Sequence, residues 1–115
     1  MAVTSKYIFI AAMDVDPDFE DLFNEVYDTE HVPMLLEVPG VHAVTRAKGE
    51  AFSLSIGGEA LAKPAASPVY SAIYEIDSPG VLNSREWAEA IEKGRWSTLV
   101  RPHTKNKSHT LYRVL

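Results

Sequence analysis

The stretch VYDTEHVPMLLEVPGV, residues 26–41, decides how this chain is read, because a helix enters it and a strand leaves it. Upstream, Phe19, Leu22, Phe23, Val26 and Tyr27 fall at i, i+3, i+4, i+7 and i+8, one apolar stripe of an amphipathic helix. Asp16 is placed to cap that helix, Pro17 suits its first turn, and Asp18 and Glu20 complement the positive end of its dipole. Pro33 lacks an N–H and restricts Val32, so the helix is expected to kink near His31 or to stop and restart. Met34, Leu35 and Val38 keep an apolar face beyond it, and Pro39-Gly40 ends the segment.

Working outward, Tyr7–Met13 is apolar and β-branched or aromatic, and reads as a strand buried on both faces. After the turn, Val41–Lys48 alternates, with His42, Val44, Arg46 and Lys48 on one side and Val41, Ala43, Thr45 and Ala47 on the other. In residues 49–68, AFSLSI has the character of an extra short strand, Gly57-Gly58 is a turn, and EALAKPAASP reads as an exposed loop. Val69–Ile76 is a further strand with Tyr70, Ala72, Tyr74 and Ile76 on one face. Asn83 or Ser84 starts a second helix that runs to about Lys93, with Glu86 in capping-box position, Trp87 in the core and Gly94 as the cap. Trp96, Leu99 and Val100 add one more helical turn, Arg101 and His103 flank Pro102 where they either close one end of a pocket or, the preferred reading, sit on a surface loop, and HTLYRVL closes as a strand.

Strand, helix, strand, strand, helix, strand is the ferredoxin-like α+β order: an antiparallel four-stranded sheet with both helices on one face, in a single domain spanning residues 1–115. The opposite face carries too much aromatic and aliphatic surface for water, and a second copy of the chain is the simplest cover, so a homodimer is expected.

Composition narrows the function. A net charge of −5, with the short RPHTKNKSH the only cationic cluster, argues against nucleic-acid binding. With no cysteine there is no disulfide, thiol nucleophile or thiolate metal site. The four histidines show no H-x-H or H-x-x-x-H spacing, so no metal is expected, and no glycine-rich loop opens a helix to bind a nucleotide. The apolar run YIFIAAM is too short to span a bilayer and lacks the flanks of a signal peptide; a cytoplasmic protein is expected, with no membrane partner.

The element order, together with Tyr27, His31, Pro33, Leu35, Leu36, Pro39, Gly40 and Val41, resembles the dimeric α+β barrel superfamily, and within it the EthD-like proteins. The resemblance implies that two sheets pair into a barrel able to hold a small ligand. The superfamily is similar in fold to cofactor-free monooxygenases, polyketide cyclases, muconolactone isomerases and haem-handling proteins. The segment 49–68 is longer than the usual hairpin between its second and third strands.

His31 is the candidate catalytic residue, since a neutral imidazole can carry a proton in a dry pocket. It has a competing structural role, binding free carbonyls at the Pro33 bend or pairing with Asp28 or Glu30. Tyr27, His42, Arg46, Tyr7 and Tyr74 are candidate substrate-binding residues: His42 and Arg46 supply cationic or acid–base groups if their face lines the barrel, and are solvated or interfacial if strand two is an edge, while the tyrosines orient a ligand by hydrogen bonds. Two readings follow: a cofactor-independent proton-transfer enzyme on an aromatic or polyketide-like small molecule, or a non-catalytic small-molecule-binding or structural homodimer. No cofactor is expected; for a haem, His31 is the one axial ligand to consider.

Overall fold

A computed structural model describes residues 3–115. Strand β1 (Tyr7–Val15) leads through a tight helical turn at Pro17–Phe19 into helix α1 (Glu20–Val26), a π-helical turn at Tyr27–His31 and helix α2 (Val32–Leu36). Strand β2 (Val41–Lys48), a hairpin of β3 (Phe52–Ile56) and β4 (Glu59–Lys63), and strand β5 (Tyr70–Ile76) follow. Helix α3 (Arg85–Ala90), a second π-helical turn at Trp96–Val100 and strand β6 (Thr104–Arg113) complete the chain. The main sheet is antiparallel in the order β2-β5-β1-β6, the ferredoxin-like arrangement, and β3 pairs with β4 alone.

One face of the sheet packs on the helices. Ala11 and Met13 of β1 and Tyr70, Ala72, Tyr74 and Ile76 of β5 are buried there with Phe23, Val26 and Tyr27 of the first helical segment, as the apolar stripe requires. On the other face Ile8, Ile10 and Ile73 are only half-buried, so β1 is covered on one side rather than two.

Pro33 does not stop the helix, which passes through a π-helical turn just before it. The Val32 N–H reaches five residues back to the Tyr27 carbonyl, and the widened π turn accommodates a proline that can give no N–H. Other local expectations change as well. Asp16 makes no cap, and its carboxylate holds Lys105 at 3.1 Å. Ser84 rather than Asn83 caps α3, accepting the Trp87 N–H at 3.1 Å, and α3 ends at Ala90. EALAK, expected as loop, is strand β4, because Gly57 and Gly58 at φ +61° and +83° close a tight hairpin. The last strand begins at Thr104, five residues before His109. A bulge between Val41 and Ala43 interrupts the alternation of β2, turning Val41 inward opposite Ile76 and leaving His42 exposed.

Candidate functional site

The two π-helical turns are clamped together. Glu30, in the first, accepts the Arg95 backbone N–H at 3.0 Å and its Nε at 2.6 Å, at the mouth of the second. Gly94 makes this approach possible: at φ +67°, a Cβ there would fall 2.6 Å from Glu30 Oε1. The clamp lays the Trp96 ring nearly parallel to the His31 imidazole, centroids 4.3 Å apart, with Tyr27 edge-on at 5.0 Å.

Between these turns and the sheet lies a cavity of about 310 Å³. His31, Tyr27 and Trp96 line it from the helical side, Phe9, Ala11, Met13 and Tyr74 from the sheet, and Trp87 and Ile91 from the second helical segment. Glu92, Arg101, Lys107 and His109 add its polar lining. Arg101 is fixed there by two bonds to Glu92, at 2.9 and 3.0 Å, and one to the Ile91 carbonyl at 2.6 Å.

His31 is 4% exposed and its Nδ1 is buried without a hydrogen-bond partner. The acids expected to satisfy it are engaged elsewhere, Asp28 by Arg46 and Glu30 by Arg95. Burial, with the nearby Arg101 charge adding to it, lowers the His31 pKa to about 4, so the ring is neutral at pH 7. Beside it, the Tyr27 and Tyr74 hydroxyls meet at 3.3 Å. Burial raises both above the ordinary phenol value, and they remain protonated donors. A neutral imidazole and a phenol pair in an aromatic cavity can exchange a proton with an organic ligand and hold the oxygen on which charge develops.

No family model and no curated relative matches the sequence. Among solved structures, an MhuD variant with two manganese protoporphyrin IX molecules bound per active site matches with a TM-score of 0.60 at 13% identity, over 95% of this chain and 94% of that one. An EthD-family protein from Bacillus halodurans matches with a TM-score of 0.57 at 12% identity, over 95% of this chain and 99% of that one. The fold is EthD-like.

Of the residues singled out in the sequence, this fold brings His31, Tyr27 and Tyr74 together at one cavity. Arg46 lies on the far side of Tyr27, its guanidinium 4.5 Å from the ring centroid and bonded to Asp28 and Asn24, both at 2.8 Å. His42 sits in the β2 bulge, exposed and bonded to Asp77 at 2.5 Å. Tyr7 packs at the start of β1 under Arg113, away from the cavity. The cavity also recruits residues that local sequence pattern does not place there. Trp96 and Arg101 enter through the second π turn, and Lys107 and His109 through the early start of β6. Arg101, expected in a surface loop, is thus part of the cavity wall. Among the described residues no cluster of three or more His, Asp or Glu could hold a metal ion, and no helix is long and apolar enough to cross a membrane.

Proposed function

We propose that this chain binds a small aromatic or polyketide-like molecule in the cavity between sheet and helices, and that His31 carries a proton to or from it without a cofactor. The placement of His31 carries this reading: a buried, neutral imidazole in the cavity wall, its Nδ1 unpaired and the nearby acids Asp28 and Glu30 engaged elsewhere. In the proton-transfer step a C–H or O–H bond of the ligand breaks, an N–H bond forms on the imidazole, and the electron pair comes to rest on a ligand oxygen. Tyr27 and Tyr74 supply donors for that oxygen. An imidazole with a pKa of about 4 is a weak base in the empty cavity, and the negative charge developing beside it raises its basicity during the step.

The porphyrin in the MhuD structure makes haem the prosthetic group to weigh. A metal-ligating histidine donates its second ring N–H to an acceptor, and the His31 Nδ1 has none. These residues do not make an axial-ligand site, and hemin added to the protein is expected to give no histidine-ligated Soret band.

We further propose that the working form is a homodimer, supported by the half-buried Ile8, Ile10 and Ile73 on the face that no helix covers and by Tyr112, 55% exposed. Calorimetric titration with 2-naphthoate and 2-naphthol tests the ligand reading. Binding to the wild type, weakened roughly 10- to 100-fold in His31→Asn, is the expected result. Equal affinity for both proteins would return His31 to a structural role.

A further inference from the structure

We infer that the β3–β4 hairpin is a clasp that pairs with the same hairpin of a second copy of this chain, an inference that rests on the homodimer reading above. Its strands pair only with each other, and a two-stranded hairpin alone in water is at best marginally stable. The register opposes Phe52 to Lys63, Leu54 to Leu61 and Ile56 to Glu59. One side of the arm therefore carries Phe52, Leu54, Ile56 and Leu61, and the other carries only Ser53, Ser55, Ala60 and Ala62. Phe52 and Ile56 are 56% and 55% exposed, so the apolar side is not folded onto its own body.

The arm is also held away from that body. Its root is fixed where the Gly49 N–H bonds the Val69 carbonyl at 2.7 Å and the Val69 N–H bonds Asp14 at 2.8 Å. The chain's radius of gyration is 15.8 Å, against about 13 Å for a compact chain of this size. An exposed apolar side on an arm with a fixed root offers a surface to an occupant from outside.

The charges at the two ends of that side indicate which occupant. Lys63 closes the apolar side at the root and Glu59 closes it at the tip. Two such arms crossing antiparallel about a two-fold axis set each Glu59 beside the partner copy's equivalent of Lys63, with the apolar residues between them. The surface is thus self-complementary, the condition for an isologous contact.

Sedimentation equilibrium on the full chain tests this with three proteins: wild type, the double variant Phe52→Asp/Ile56→Asp, and the opposite-side control Ser53→Asp. A wild-type dimer near twice 12.7 kDa, a dissociation constant raised roughly 100-fold or more in the double variant, and little change in the control are expected. A monomeric wild type would overturn the homodimer reading and the clasp with it. A dimer equally tight in the double variant would overturn the clasp alone. Because the chain has no cysteine, Ile56→Cys carrying a photo-crosslinker gives a second readout that does not depend on the aspartates folding. Adducts between chains, within residues 52–61 of the other copy, are expected; adducts confined to one chain would overturn the clasp.

Discussion

On one side of Tyr27, Arg46 spans the ring and gives its two terminal nitrogens to Asp28 and Asn24, while Tyr70 and Lys48 both bond Glu20. On the other side, His31 sits in a wall of aromatic rings with a buried nitrogen that bonds nothing. Both groups of side chains rest on the same helix and the same sheet, yet one closes its polar bonds internally and the other leaves one open. The Arg46 side is complete as it stands and binds helix to sheet. The His31 side leaves a buried nitrogen unpaired beside the cavity, and it is there that we propose a ligand binds. Both Arg46 and His31 are candidates in the sequence; the partners of Arg46 are all supplied by the chain itself, and the uncharged imidazole is the group we propose as functional.

The largest expected effect separates the two sides by pH. His31 is protonated near pH 6.5 when unfolded and near pH 4 when folded, so between these values the unfolded chain binds the extra proton. Stability from this group is therefore full above pH 6.5 and is lost as pH falls toward 4, a decline on the order of 3 kcal/mol. Denaturant unfolding across that window should show the slope in wild type and a flatter profile in His31→Phe. The same variant at pH 7 should stay within about 1 kcal/mol of wild type, because it removes a polar atom that had no partner.

Arg46→Met reverses that pattern. Losing the bonds to Asp28 and Asn24 and the contact with Tyr27 should lower stability by about 2 kcal/mol at neutral pH. Its affinity for 2-naphthoate, measured by calorimetry, should remain within a few-fold of wild type. A loss of binding as large as in His31→Asn would erase the distinction between the two sides.

Smaller effects sharpen the comparison. Tyr27→Phe and Tyr74→Phe each remove one member of the hydroxyl pair and should cost about 1 kcal/mol or less by thermal unfolding. His42→Ala, in the exposed bulge, should change stability by less than about 0.5 kcal/mol and leave ligand binding intact.

How far the sequence could be read follows from the range of the interactions involved. The stripe from Phe19 to Tyr27 and the inward face of Tyr70–Ile76 are local periodicities, and both elements formed where the pattern places them. The π turn at Tyr27–His31 was not legible, because a proline can break, kink or widen a helix, and the choice depends on what packs against it. That packing comes from Glu30 and Arg95, 65 residues apart, a pairing that no spacing announces. For the same reason the helical turn at Trp96 is legible in the sequence, but its place, with Arg101, in the cavity wall is not. The sequence leaves His42 between a barrel-lining and a solvated place, and a single bulge residue, which shifts the alternation that a regular strand would keep, leaves it exposed.

The most direct test of the central claim is a ¹⁵N NMR titration of the His31 ring, alone and with 2-naphthoate. The expected result is a ring that stays neutral down to about pH 4 in the free protein, with ring-nitrogen shifts that move when the ligand is added. A His31 that titrates near its ordinary value, or whose nitrogens ignore a ligand that calorimetry shows to be bound, would contradict it.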